Sequence, residues 1–458
     1  MTFPPRGSGI AGHVETPPSQ TWAHPWELGE SWTWKPGRLL IGRWDDRLIG
    51  RDDDRHAMAI AGTRSGKSLT LLIPNLLRYP GSVLVLDPKG ELVRATAARR
   101  RRMGQKVIVL DPFGVSGETT ASHNPFTELV GIEIENVSAD AAQLADALII
   151  SNNRDPHWTD SAKNLVRGII LHLIDRYPQK TTMREMRRLL NATPAELDRL
   201  FGEMAGSTAF DGVVANIGAA FLGKKEGSPR ELQGILSTTQ EQTAPLDDIV
   251  RITDKSDFRL SELSGGNVTI YLVLPGMRIP SHYRWLRLMV QQALFAMERN
   301  PVPHGKLPVW FVLEEFPCLG HMRPIEAAAG LMAGYGIKLW SVVQDLTQLQ
   351  THYPKSWETF LGNCGLVQAF GNVDVTTTEH LSRLLGTTMV TERQNIRVSG
   401  GAMAHGDLGL RENLRSVRLL DPTEITTHFA REMGTQLVFV PGRPPVYLQR
   451  MPYEGGRP

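Results

Sequence analysis

The sequence predicts an α/β protein with a mostly parallel sheet and an all-α domain inserted between sheet strands. Three observations lead there. Residues 61–68 read Ala-Gly-Thr-Arg-Ser-Gly-Lys-Ser, between an apolar stretch and a Leu-rich helical one. Short apolar runs alternate with helically spaced segments after that loop. Between about residues 135 and 255 the spacing is helical throughout, and strand signals nearly vanish.

Residues 1–36 are rich in Pro, Gly, Ser and Trp without a sustained period, so an extended or disordered segment is expected. Its tryptophans at 22, 26, 32 and 34 suit either docking to a partner or packing back on their own domain. Residues 39–44 and 47–50, separated by Asp45-Asp46, read as a hairpin leading to a strand at 57–60. A helix at 67–78, a strand at 82–86, a basic helix at about 91–103 and a strand at 106–110 then form βα units. Such units imply parallel strands with helices on their faces. The helical insertion carries segments 139–150, 161–176, 182–190, 194–205 and 229–246. Sheet character returns at 267–274, 309–313, 338–343 and 365–370, and strands at 436–439 and 446–450 close the chain. Residues 391–417 are polar, with Gly400-Gly401 and arginines at 393, 397, 411 and 415, and read as a long loop. The expected divisions are a segment 1–36, a nucleotide-binding part 37–134, the insertion 135–255 and a second nucleotide-binding part 256–458.

Composition bounds the rest. At 458 residues the chain is too long for one simple core, and 41% apolar with 21% charged residues is ordinary for a soluble protein. Net charge is +2, so any nucleic-acid contact needs a local basic surface. Cys318 and Cys364 are too few for a disulfide framework, and their apolar surroundings suggest buried thiols. No apolar run approaches a membrane span and no signal-peptide pattern opens the sequence. The expectation is a cytoplasmic chain, or one held peripherally at the inner face of the cytoplasmic membrane.

The chemistry starts at the glycine-rich loop. Backbone N–H groups around Gly62 to Gly66 can wrap a polyphosphate only where bulky Cβ atoms are absent. Lys67 reaches the β and γ oxygens, the Ser68 hydroxyl joins Mg2+, and the following helix N-terminus favours negative charge. Ala61 stands where a first glycine is usual; it lacks only glycine's positive-φ freedom, so the loop is expected to form. Gly62, Thr63, Arg64, Ser65, Gly66, Lys67, Ser68 and Asp87 are the candidate nucleotide-binding residues. Hydrolysis needs an acidic strand end, which Val309 to Leu313 followed by Glu314-Glu315 supplies. Glu314 would enter the Mg2+ shell beside Ser68, and Glu315 would polarise water against the γ-phosphate. Aspartate is commoner at position 314, and one extra methylene can misplace a contact by roughly 1 Å, which can cost on the order of 10²-fold in rate. Gln344, after the 338–343 strand, is a candidate sensor of the γ-phosphate.

Together these stretches resemble the type IV coupling proteins, the TraG-like conjugation and secretion ATPases. The carrying residues are Thr63-Arg64-Ser65-Gly66-Lys67, Pro80-Gly81-Ser82, Asp87-Pro88-Lys89-Gly90-Glu91, Glu314-Glu315-Phe316-Pro317 and Gln344-Asp345-Leu346-Thr347-Gln348-Leu349. Asn363-Cys364 leading to Phe370-Gly371, and residues 445–453, extend the match. The resemblance implies a RecA-like motor domain with an all-α domain inserted, using ATP and Mg2+ and working as a homo-hexameric ring at the membrane. It implies delivery of relaxase-bound DNA or protein effectors to a type IV secretion channel or its membrane-anchor subunit. Asp155-Pro156-His157-Trp158 resembles the opening of the family's substrate-facing domain, with helix capping and core packing as the simpler account. Two departures stand out: the family's usual transmembrane helices have no counterpart in this sequence, and Glu-Glu replaces Asp-Glu. Between Glu315 and Gln344 only Arg323 and Lys338 are basic, so no trans-acting arginine is assigned.

Basic clusters occur at Arg99 to Arg102, Arg184 to Arg188, Lys224-Lys225 and within 391–417. The first is expected to be a solvated surface; the last is the better candidate for nucleic acid, bound without base readout and with strong salt dependence. Rival functions are a nucleotide-gated docking module with little turnover and a soluble DNA translocase of the FtsK/HerA type.

Overall fold

The computed structural model describes residues 20–23, 25–129, 134–151, 156–395 and 410–453. Thirteen strands are described among these residues. In chain order they are β1 (Leu39–Trp44), β2 (Arg47–Arg51), β3 (His56–Ala61), β4 (Val83–Asp87), β5 (Lys106–Leu110), β6 (Val268–Val273) and β7 (Val309–Leu313). They continue as β8 (Ile337–Val343), β9 (Cys364–Phe370), β10 (Thr387–Asn395), β11 (Leu410–Arg418), β12 (Thr435–Phe439) and β13 (Val446–Gln449). Compactness divides the chain into two units, Met1–Asn75 with Val342–Pro458, and Leu76–Ser341. This division differs from the one drawn by composition, and the helical insertion lies wholly inside the second unit.

The second unit is built on parallel strands in the order β8-β7-β4-β6-β5. All of them but the edge strand β5 are buried along their whole length, which is why they read as apolar runs instead of alternating ones. Trp310 of β7 stacks on Tyr79 with ring centroids 3.7 Å apart and meets Trp340 of β8 edge-on at 5.9 Å. Helix Glu91–Arg102 covers β4 and β5, presenting Val93, Thr96, Ala97 and Arg100 on one helical face. Arg100 therefore departs from the expected solvated cluster. It is fully buried, donating to the Thr269 hydroxyl and to the carbonyls of Leu76, Tyr79 and Gly81. Arg99, Arg101 and Arg102 remain exposed.

The insertion comprises helices Ile134–Leu148, Pro156–Arg176, Met183–Leu190, Pro194–Ala205, Val213–Gly227 and Pro229–Thr243. The boundaries expected from spacing hold for Met183–Leu190 and Pro194–Ala205, because threonines cap those two; helices Ile134–Leu148 and Pro156–Arg176 begin earlier than expected, and Pro229–Thr243 ends sooner. The Thr182 hydroxyl accepts the Glu185 N–H, and Thr193 with Glu196 forms a reciprocal box before Pro194. Helix Val213–Gly227 was not separated by spacing: its small residues and weak amphipathic contrast hide the period. Helix Ile279–Arg299, between β6 and β7, was missed for a different reason, since it is buried over much of its circumference. Of the Asp155 to Trp158 motif, Asp155 lies outside the described residues. His157 pairs with Glu231 at 3.0 Å, and Trp158 packs so closely on Gly234 that a Cβ there would lie 2.5 Å from the indole. That is packing between two helices of the insertion.

The first unit has the strand order β2-β1-β13-β12-β9-β3, with β3 and β9 parallel and the others antiparallel. Residues 391–417 are not one long loop: β10 and β11 pair antiparallel from Thr387↔Arg418 to Asn395↔Leu410. Their ribbon is polar, so it lacks the alternation by which a half-buried strand is recognised. Arg397 and Gly400-Gly401 lie outside the described residues. The N-terminal segment also departs from expectation where it is described. Trp22 and Trp32 are buried, Trp22 meets the Tyr447 ring edge-on at 6.2 Å, and short 3₁₀ turns occupy Pro25–Leu28 and Glu30–Trp32. Packing back on its own unit is therefore the fate of these two tryptophans.

Asp53, just before β3, ties this unit's turn together. Burial by itself would raise its pKa, but hydrogen bonds from Arg55 and Arg51 outweigh burial and hold the carboxyl well below its ordinary value. A depressed folded-state pKa gives stability that is present above the unfolded value, about 3.9, and lost as pH falls through the folded one. Asp53→Asn is accordingly expected to destabilise the protein at neutral pH, with the deficit shrinking below about pH 4. Urea unfolding of both proteins across that range checks it; a deficit independent of pH would contradict the assignment.

Candidate functional site

The loop at 61–68 leaves a fully buried parallel strand and enters a helical turn. Ala61 is the last residue of β3, in register with Phe370 of β9, and is completely buried. It keeps strand geometry, so the missing first glycine costs the loop nothing. Gly62 donates to the Phe370 carbonyl at 3.2 Å and sits against Gly371, so closely that a Cβ would fall 1.8 Å from the Gly371 oxygen. Gly66 has φ of 88°, a conformation open to glycine, and Arg64 adopts φ of 56°. Strained backbone of this kind is typical of ligand clamps. The expected helix at 67–78 is shorter and begins differently. A π-helical turn spans Ser68–Leu72 and continues as α-helix Ile73–Leu76. Single π turns leading into an α-helix occur frequently at functional sites.

A cleft of about 470 Å3 in the first unit is lined by Gly62 to Ser65, Gln344-Asp345, Gly371 to Asp374, Thr426 and Ala430 to Glu432. Gln344 is brought to the loop: the Thr63 hydroxyl donates to its Oε1 at 2.7 Å. Its backbone is held as well, the carbonyl accepting Asn372 Nδ2 at 3.1 Å and the N–H donating to Gln348 Oε1 at 3.2 Å. Asp345 then caps helix Leu346–His352 by accepting the Gln348 N–H. The Gln-Asp-Leu-Thr-Gln-Leu stretch is thus a mechanically linked turn. Ser65 Oγ and Asn372 Oδ1 are buried without a hydrogen-bond partner among the described residues. Of the two, the Ser65 hydroxyl can donate to an anion held in the glycine-lined cradle, whereas the Asn372 oxygen can only accept.

Sequence reasoning missed Arg450. This residue, just after β13, is buried and donates Nη1 to the Ser65 carbonyl and Nη2 to the Arg431 carbonyl. Burial, with Arg431 nearby, lowers its pKa. Nothing local in the sequence could single it out, because 385 residues separate it from Ser65.

In the second unit the acidic residues share the carboxyl edge of parallel strands. Leu86 is in register with Leu313, so Asp87 and Glu314 occupy the next positions on adjacent strands. Glu314 is buried, and Glu315 has φ of 60° at the turn into the 3₁₀ helix Phe316–Leu319. A left-handed, non-glycine residue at a strand end is a strained feature of the kind found at functional positions. Burial pushes the Cys318 thiol up, and the Glu315 charge adds to that shift. Asp87 has a structural role, because its Oδ2 accepts the Val93 N–H at 2.8 Å and so braces the start of helix Glu91–Arg102. Burial raises its pKa against those hydrogen bonds, and its Oδ1 has no partner among the described residues. Asp111 likewise closes its own loop, accepting the N–H groups of Gly114 and Ser116.

Two of the basic clusters have acidic partners. Arg187 is buried against Asp247, Arg184 pairs with Asp254, Lys224 with Glu231 and Lys225 with Asp198. No single helix among the described residues is long and apolar enough to cross a membrane.

A glycine cradle between a buried parallel strand and a helical turn, followed by Lys-Ser, defines a P-loop nucleotide-binding protein of the α/β class. Comparison with known proteins agrees and narrows it. The family pattern described as type IV secretory system conjugative DNA transfer matches residues 6–453, so the chain belongs to that family. It is 28% identical over 449 residues to the conjugal transfer protein TraG of Escherichia coli, covering 89% of this chain and 69% of TraG. It is 25% identical over 434 residues to VirD4 of Rhizobium radiobacter, covering 92% of this chain and 60% of VirD4. Among solved structures, the conjugative coupling protein TrwBdeltaN70 in complex with sulphate superimposes with a TM-score of 0.70 at 18% identity, covering 98% of this chain and 97% of that one. TrwB in complex with ADP and Mg2+ gives 0.67 at 16%, over 98% and 97%. The fold class and the coupling-protein resemblance read from the motifs are both borne out.

Proposed function

We propose that the chain is an ATP-hydrolysing coupling protein that recruits relaxase-bound DNA or protein substrate and delivers it to a type IV secretion or conjugation machinery. The observation that carries this reading is the glycine cradle at Gly62 to Ser68 with Gln344 hydrogen-bonded into it, in a chain of this family. Thr63, Arg64 and Gly66 would bind the phosphates through backbone N–H groups and Ser65 through its hydroxyl, Gly62, whose N–H is given to the Phe370 carbonyl, would keep the cradle open, and Lys67 would neutralise the terminal phosphates. Ser68 and Glu314 would hold Mg2+, which when bound supplies charge neutralisation to the phosphate oxygens. Glu315 would orient and deprotonate the attacking water. Gln344, braced by Thr63, Asn372 and Gln348, would report the γ-phosphate to helix Leu346–His352. Asp87 would support the nucleotide site by fixing the start of helix Glu91–Arg102. The relatives' names support coupling to a secretion apparatus, and the TrwB complexes with ADP, Mg2+ and ADPNP support nucleotide binding. Assembly as a homo-hexamer on a membrane-anchored partner at the inner face of the membrane belongs to the same proposal.

Glu315→Gln separates binding from chemistry. The variant is expected to bind a fluorescent ATP analogue as the parent does while phosphate release falls on the order of 10²-fold or more, the usual contribution of a positioned base. Unchanged turnover would remove Glu315 from the chemistry. A parent chain that binds ATP yet shows no turnover with DNA and membrane partner present would favour the docking-module alternative.

A further inference from the structure

We propose that Arg450 is a positioning residue for the phosphate loop: it fixes the Ser65–Gly66 peptide so that the Gly66 N–H is presented in one orientation. The proposal rests on assigning residues 61–68 as the phosphate-binding loop. In a trans peptide the carbonyl and the following N–H lie on opposite sides of one rigid plane. Anchoring the Ser65 oxygen therefore dictates where the Gly66 N–H points. Gly66 sits at φ of 88°, has no Cβ, and is the position where that peptide could most readily rotate. Arg450 Nη1 takes the Ser65 oxygen, and a Cβ on Gly66 would lie only 3.7 Å from the same nitrogen.

The guanidinium is itself held rigidly. Its Nη2 donates to the Arg431 carbonyl at 2.5 Å, and its carbon lies 4.5 Å from the centre of the Phe370 ring. The Arg450 backbone N–H donates to the Gly434 carbonyl at 2.7 Å. Three residues on, the Tyr453 N–H donates to the Leu69 carbonyl at 3.0 Å, fastening the same strap to the π turn that follows the loop. Arg450 thus joins the loop, the end of β9 and the 431–434 turn through one planar group. A planar fork with donors at fixed angles can do this; a lysine ammonium cannot hold two carbonyls and stack at once.

The test uses the full chain and equilibrium binding of a fluorescent ATP analogue with Mg2+. Arg450→Ala is expected to weaken affinity about tenfold, ~1.4 kcal/mol, with most of the loss restored by tens of millimolar guanidinium ion entering the vacated site. Arg450→Lys is expected to recover only part of it. If Arg450→Ala does not fold, Arg450→Gln, which keeps one NH2 donor over the same packing, is measured in its place. Parental affinity in a folded variant, or a loss that neither guanidinium nor lysine reverses, overturns the proposal. Lys67→Ala runs alongside: if it too binds like the parent, the phosphate-loop assignment itself has failed, independently of Arg450.

Discussion

Gly62→Ala is expected to weaken nucleotide binding severely. The added Cβ would lie 1.8 Å from the Gly371 carbonyl oxygen and 2.8 Å from its carbon. Both atoms belong to backbone, so no rotamer change relieves the overlap. Either the loop must leave its course after β3 or the end of β9 must move, and β9 is locked on both sides by β3 and β12. The loop is the softer element. Overpacking of this sort costs typically 1–3 kcal/mol, occasionally more, and here it falls on the group that must cradle the phosphates. Titration with a fluorescent ATP analogue is expected to show affinity reduced by roughly two orders of magnitude, ~2.7 kcal/mol. Parental affinity would mean that the loop takes a course other than the one described.

Trp310→Ala is the largest expected stability loss. The indole is buried, stacked on Tyr79 and edge-on to Trp340, in a strand paired on both sides. Truncating a large aromatic at such a site removes its transfer free energy and leaves a cavity that close-packed neighbours fill only in part. The loss is about 3–5 kcal/mol. Denaturant unfolding followed by the remaining tryptophans measures it, and Trp310→Phe, which keeps a ring against Tyr79, should cost much less. A loss below ~1 kcal/mol for the alanine variant would show that the site collapses freely, against the dense packing described.

Much of this was legible in the order of residues. The apolar runs at 309–313 and 338–343 read as buried strands because parallel strands are apolar on both faces. The glycine-lysine-serine loop, the Glu314-Glu315 strand end and the Thr-capped helices of the insertion are local patterns with local physical causes. The 387–418 ribbon was not legible, because its pairing is by backbone and its side chains carry no alternation. Helix Ile279–Arg299 was lost for the opposite reason, its burial erasing the contrast between faces. Arg100 shows the limit of charge counting: four arginines in a row describe a basic surface until the helix turns one of them inward.

By itself, then, the sequence determined that a polyphosphate loop exists, that parallel strands surround it and that helices interrupt them, since each depends on short-range spacing and on the sterics of glycine. Only the tertiary structure decided that Gly371 requires Gly62, that Thr63 holds Gln344, and that an arginine near the chain's end grips the Ser65 carbonyl. Those are contacts between residues hundreds of positions apart, and they arise only when strand order brings β3, β9 and β13 into one unit.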